Sequence, residues 1–213
     1  MARSPDAHVT IPVEDVELAG AIEVPDGASG IVAFAHGSGS SRKSPRNNYV
    51  ASVVRERGLG TLLFDLLTEA EDRDRDNRFD IPLLTDRLVG ATEWLRDRAE
   101  TRSLPMGYFG SSTGAAAALR AAAKRGDDVD AVVSRGGRVD MAADVLGDVR
   151  APTLLVVGGA DTQVLELNRE ALESLGGRTD LHVVAGAGHL FEGEGELAEV
   201  AAVAADWFAS ALG

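Results

Sequence analysis

Apolar positions along the chain fall into short unbroken runs separated by longer amphipathic stretches. Residues 9–13 and 16–25 alternate in part around Glu14-Asp15, which predicts an antiparallel pair at one sheet edge. Pro12 suits an edge, where a missing backbone donor is tolerated. The run 31–35, Ile-Val-Ala-Phe-Ala, is apolar on both faces and predicts an interior parallel strand. Similar runs at 61–64, 104–109, 129–134, 152–157 and 181–184 predict five more strands. Between them the spacing predicts helices. One covers 46–58, with Tyr49, Val50, Val53 and Val54 inward and Gly58 as its stop. Another covers 82–99 on Leu84, Leu88, Trp94 and Leu95, and the alanine-rich 115–124 is close to an ideal helix former. A short helix at 141–146 and one at 166–175 follow, and the last, 195–212, carries Leu197, Val200, Val203, Trp207 and Phe208. Strands alternating with helices to the end predict an α/β fold with a mainly parallel sheet and helices on both faces.

Length adds that 1–213 reads as one α/β domain, with no internal repeat, no linker and no room for a cap domain. The segment 69–78, Glu-Ala-Glu-Asp-Arg-Asp-Arg-Asp-Asn-Arg, is almost wholly charged; it predicts a solvated loop, with a flap over a site as the sharper alternative. No apolar run reaches the roughly 18 residues of a membrane span, and the first residues lack an apolar signal core, so the expectation is a cytoplasmic protein. The net charge of −13 disfavours nucleic acid and anionic membrane surfaces as partners. Cysteine is absent, which removes disulfides, thiolate metal sites and a thiol nucleophile together.

Chemistry concentrates at Gly110-Ser111-Ser112-Thr113-Gly114, a G-x-S-x-G between a predicted strand and a predicted helix. A sharp turn there brings two backbones close, which requires glycines, and lifts the serine over the sheet edge. The N–H groups that open the next helix favour developing negative charge. A serine hydroxyl needs an imidazole to take its proton, and the imidazole needs a carboxylate to hold its tautomer. Four histidines are available. His8 precedes the first predicted strand, His182 lies inside the last, and His36 sits at the neck of a glycine loop, where it suits backbone hydrogen bonding. His189, in the loop after the last strand, remains. Asp161 follows the strand 152–157 in Gly158-Gly159-Ala160-Asp161. In parallel sheets such loops converge on one edge. Ser112, Asp161 and His189 are therefore the candidate triad. For the oxyanion, Thr113 N–H is one expected donor and the loop His36-Gly37-Ser38-Gly39 supplies the other, from Ser38. Gly37 and Gly39 then leave room for substrate beside bare backbone.

His36-Gly37-Ser38-Gly39, the elbow around Ser112, Asp161 and His189 together resemble the α/β-hydrolase superfamily, in particular its small, lidless dienelactone-hydrolase-like branch. The chain is also similar to the hydrolase-like domain sometimes fused to a phosphoribosyltransferase domain. That resemblance implies the serine–acid–histidine order seen here and an uncapped α/β-hydrolase fold. Dienelactone hydrolase proper carries a cysteine in the elbow where this chain has Ser112, which favours a serine esterase. No phosphoribosyltransferase signature is present.

Arg42, Arg46, Arg135 and Arg138 lie near the same predicted edge. They are expected either to pair with the carboxylates this acidic chain has in excess or to clamp an anionic group on a substrate. Leu190 and Phe191, beside the candidate base, are expected to line the pocket. The expected function is hydrolysis of a small carboxylic ester or lactone through an acyl-enzyme, with no metal and no organic cofactor. The same triad also suits acyl transfer or amide and thioester hydrolysis, and a non-catalytic receptor on this fold is the alternative of another class.

Overall fold

In the computed structural model, which describes residues 7–213, every predicted strand forms and all eight join one sheet. β1 (Ala7–Val13) and β2 (Val16–Glu23) make the antiparallel edge hairpin, closing with Val13 opposite Val16. β2 runs antiparallel to β4 (Gly60–Phe64). From there β3 (Ile31–Ala35), β5 (Met106–Ser111), β6 (Ala131–Arg135), β7 (Thr153–Gly158) and β8 (Thr179–Val184) are parallel, in the order β1-β2-β4-β3-β5-β6-β7-β8.

Alternation along the strands divides the core into two layers. On one face Ile31, Ala33, Met106, Tyr108 and Val132 pack under α3 (Ile81–Asp97) and α4 (Thr113–Arg125). On the other, Val32, Phe34, Phe109, Val133 and Val156 pack under α1 (Pro45–Glu56) and α6 (Glu196–Leu212). Phe34 and Phe109 meet there with ring centroids 4.9 Å apart. α5 (Thr162–Leu172) covers the β7–β8 edge through Val164 and Leu165. Among the described residues no helix is long and apolar enough to cross a membrane.

Element ends differ from the sequence reading where a local hydrogen bond decides. α1 starts at Pro45 because the Ser44 hydroxyl accepts from Asn47 N–H (3.3 Å). The stretch Val139–Asp148 is 3-10 helix throughout. His8 lies within β1 rather than before it. The charged segment is not a plain loop. Thr68 and Glu71 form a capping box that starts α2 (Glu69–Asp72), and a 3-10 turn follows at Asn77–Phe79. Glu71 also reaches Arg87 of α3 (2.9 Å), and Arg78 binds the Asp72 carboxylate (2.9 Å). Glu71, Asp72 and Arg78 are thus tied into the fold, while Glu69, Arg73, Asp74, Arg75 and Asp76 stay exposed, as expected of a solvated segment.

Candidate active site

Ser112 stands at the β5–α4 junction with φ 51° and ψ −118°, a conformation a non-glycine residue adopts only under constraint. Two close approaches enforce it. A Cβ on Gly110 would lie 2.4 Å from Ala115 Cα, and one on Gly114 would lie 2.2 Å from the Ala35 carbonyl oxygen. Ser112 N–H donates to Arg135 O and Arg138 N–H donates to Ser112 O, both at 3.1 Å, so the elbow is laced to the loop leaving β6.

Asp161 follows β7 and His189 follows β8, the adjacent parallel strand. Asp161 Oδ2 accepts from His189 Nδ1–H at 2.6 Å. That bond leaves Nε2 as the proton-accepting nitrogen. Among the described residues neither Ser112 Oγ nor His189 Nε2 has a hydrogen-bond partner of its own. The Asp161 side chain caps no helix, although the residue opens α5, so its carboxylate is committed to the imidazole. Gly136 links the two ends of the group. A Cβ placed on it would lie 3.3 Å from His189 Cε1, in the loop that holds Ser112.

The loop after β3 packs against the elbow. A Cβ on Gly37 would come 3.2 Å from Ser112 Cβ and 3.1 Å from Ser111 O, so the bareness of Gly37 accommodates the elbow. Gly39, at φ 69°, turns the loop and faces Arg78. Thr113, the first residue of α4, has an N–H without an intrahelical acceptor. Ser38 departs from expectation: its N–H already donates to Thr113 Oγ1 at 2.9 Å. The hydroxyl of the residue after Ser112 thus holds the donor that the oxyanion was expected to use. His36 anchors the loop, as expected of it. Its Nδ1–H donates to Gly37 O, and Leu66 N–H donates to Nε2, both at 3.0 Å. Burial lowers the His36 pKa from its ordinary value, opposed by the Gly37 carbonyl and by Asp65. A cavity of about 480 Å³ beyond this loop is lined by His36, Ser40, Arg42, Asp65 and Leu67 but by neither Ser112 nor His189.

Of the arginines, Arg42 pairs with Asp65, Arg46 with Glu192 (2.6 Å) and Arg138 with Asp140 (2.7 Å). Among the described residues Arg135 has no such partner. It is 8 % exposed, and its Nε and Nη1 are enclosed without a hydrogen bond. Burial and the nearby Arg46 guanidinium push its pKa down to about 10, which still leaves it charged at neutral pH. Phe191 departs from expectation too. With φ 54° its ring turns inward, 2 % exposed, and the Arg135 guanidinium lies 5.8 Å from its centroid. Leu190 stays exposed beside His189.

Two further residues support the group and were not singled out from the sequence. Asn47 of α1 accepts from Ser111 Oγ at 3.2 Å, tying the helix to the residue before Ser112. Asn168 of α5 donates to Gly137 O at 2.9 Å and supports the β6 loop from below. A buried asparagine on an otherwise apolar helix face is the pattern that finds both. Among the described residues no group of three or more His, Asp or Glu side chains is arranged to hold a metal ion.

A sheet of this order, with a strained serine at the strand-to-helix turn after β5 and an acid and a histidine after β7 and β8, defines an α/β hydrolase. Residues 68–212 match the Dienelactone hydrolase family, and the chain belongs to it. A crystal structure of dienelactone hydrolase from Anabaena variabilis is 52% identical, with 100% of each chain covered and a TM-score of 0.97. Est1E from Butyrivibrio proteoclasticus shares the fold at 14% identity, 95% of this chain and 98% of that one, TM-score 0.82. So does an alpha-beta serine hydrolase homologue from Coxiella burnetii, at 19% identity, 97% and 99% coverage and TM-score 0.80. A Mycobacterium tuberculosis protein named "Putative phosphoribosyl transferase" is 57% identical over 203 residues, which are 95% of this chain and 46% of that protein. The chain thus spans about half the length of the curated relatives it matches. Family and fold together place the chain among the α/β hydrolases.

Proposed function

We propose that this protein is a serine hydrolase of small carboxylic esters or lactones, working through an acyl-enzyme on Ser112. The observation that carries this reading is the 2.6 Å bond between Asp161 and His189 on loops beside a strained Ser112. In the proposed cycle Ser112 Oγ attacks the substrate carbonyl while His189 Nε2 takes its proton. Asp161 stabilises the imidazolium that results. The tetrahedral oxyanion accepts from Thr113 N–H. It also competes with Thr113 Oγ1 for Ser38 N–H, a donor released when the threonine side chain rotates. The intermediate collapses, the C–O bond to the leaving group breaks, and the departing alkoxide takes the proton from His189. Water then gives a proton to His189 and attacks the acyl carbon, releasing the acid and restoring the Ser112 hydroxyl. A lactone follows the same path, its alcohol remaining tethered to the acyl group. No step calls on a metal or organic cofactor.

Among the described residues Ser112 Oγ and His189 Nε2 are not hydrogen-bonded to each other. Such contacts in hydrolases tighten when substrate binds. The test is a p-nitrophenyl ester series of increasing acyl length, followed by lactones, run on wild type and Ser112→Ala. Turnover lost with the hydroxyl supports the proposal, and turnover independent of it contradicts it.

A further inference from the structure

An acidic chain with 34 carboxylate residues and 21 basic ones has no shortage of partners for an arginine. Among the described residues Arg135 is nevertheless unpaired. It ends β6 on the same sheet face as Ala131 and Val133, under α1 and α6, with two guanidinium nitrogens enclosed and unbonded. An enclosed charge without a counter-ion is strongly unfavourable, and proteins keep such groups mainly where function uses them.

Its surroundings point to a ligand rather than to a missing structural partner. Asn47 pins the start of α1 over Ser111, and Ser111 is the strand partner of Arg135. That places Arg46 beside Arg135, so two like charges share the corner, and only Arg46 has a carboxylate, the exposed Glu192. Phe191 walls the guanidinium on the His189 side. Nε and Nη1 face inward, which leaves Nη2 as the nitrogen that meets solvent. The corner adjoins the reaction site directly. The Arg135 carbonyl accepts from Ser112 N–H, and Gly136, the next residue, lies against His189.

We infer that Arg135, flanked by Arg46, is an anion subsite that holds a carboxylate or phosphate-type oxyanion carried by the substrate. This deepens the serine-hydrolase reading and rests on it for the word substrate, though the anion site itself does not. Arginine suits the task because its planar fork gives paired, charge-assisted bonds to such groups. The favoured substrates are then esters bearing a second, ionised group within reach of Ser112. Arg42 and Arg138 pair with Asp65 and Asp140, and Arg46 is the guanidinium whose charge acts on Arg135, so neither of the former is part of the subsite.

The experiment has two arms on wild type, Arg135→Gln and Arg135→Lys. In the first, kcat/KM is measured for p-nitrophenyl butyrate and for mono-p-nitrophenyl succinate, and the charged-to-neutral ratio is compared, so that general effects on the triad cancel. The ratio is expected to fall at least about tenfold in Arg135→Gln, as for loss of one charge-assisted contact, and less in Arg135→Lys. In the second, melting midpoints are recorded with propionate or inorganic phosphate at constant ionic strength. Wild type is expected to rise with at least one of them, which tells carboxylate from phosphate, and Arg135→Gln to stay flat. Without added anion, Arg135→Gln is expected to melt no lower than wild type, since it removes an uncompensated buried charge. An unchanged ratio, an absent wild-type shift, or a lower midpoint in anion-free buffer each overturns the subsite. If neither ester shows Ser112-dependent turnover, the hydrolase reading fails while the midpoint arm still decides the anion site.

Discussion

Asp161 Oδ2 sits 2.6 Å from His189 Nδ1, joining two loops that leave neighbouring strands β7 and β8. The bond fixes which imidazole nitrogen can accept a proton. Asp161→Asn keeps the shape but loses the negative charge and can turn its NH2 to donate to Nδ1, which favours the wrong tautomer. The expected outcome is a fall in kcat of roughly 10³–10⁴-fold with little change in the melting midpoint. Steady-state kinetics on a p-nitrophenyl ester beside a thermal melt check both halves. A variant within a few-fold of wild type removes the acid from the account.

The elbow glycines answer a steric question. Gly114 has no room for a Cβ against Ala35 O and His36 O, at 2.2 and 2.4 Å, and both obstacles are backbone. Gly114→Ala is expected to destabilise the fold by about 3 kcal/mol, at the upper end of overpacking. Gly188→Ala, where nothing lies within 4 Å of the added carbon, is the control and is expected to be nearly silent. Denaturant midpoints separate the two.

Asn47 and Ser111 form a buried pair, each 2 % exposed. Asn47→Ala leaves the Ser111 hydroxyl enclosed without its acceptor, at a cost of about 1–3 kcal/mol. Because the same bond seats α1 on the elbow, kcat is expected to fall as well. Equilibrium unfolding and kinetics on one preparation test this. Unchanged stability means the pair is incidental.

His36 makes stability depend on pH. Its folded pKa is lowered by burial, so its neutral form is the native one. In the unfolded chain it takes a proton near the ordinary value of 6.5. As pH falls below that value the unfolded state binds the extra proton first. The His36 contribution is therefore intact above it and is lost as pH drops toward the folded value. Denaturant midpoints from pH 7.5 to 5.5, at intervals of about half a unit, are expected to decline in wild type and to decline less in His36→Asn. Equal slopes contradict it.

Much of the fold was legible because the buried strands are apolar at every position and glycines or prolines punctuate them. The run 31–35 and the alanine-rich helix after Ser112 left little alternative. The order of Ser112, Asp161 and His189 was legible for the same reason, since each follows a strand in one parallel sheet. What escaped depends on partners far away in the chain. The role of Glu71 within 69–78 was hidden because Thr68 and Arg87, which engage it, lie outside the segment, whereas Glu69 and 73–76 do face solvent. Phe191 reads as a pocket residue until its left-handed backbone turns the ring inward. Ser38 reads as a free donor until the Thr113 hydroxyl, 75 residues on, is seen to accept from it. Arginine pairing has no local signal at all, so Arg135 looks like its neighbours in sequence and unlike them in space.

The account turns on the Ser112 oxygen acting as a nucleophile, and a fluorophosphonate probe with intact-mass and peptide detection reads that directly. One covalent adduct on Ser112 in wild type, absent from Ser112→Ala and slowed in Asp161→Asn, is the result expected. An unlabelled wild type, or equal labelling of Ser112→Ala, contradicts it.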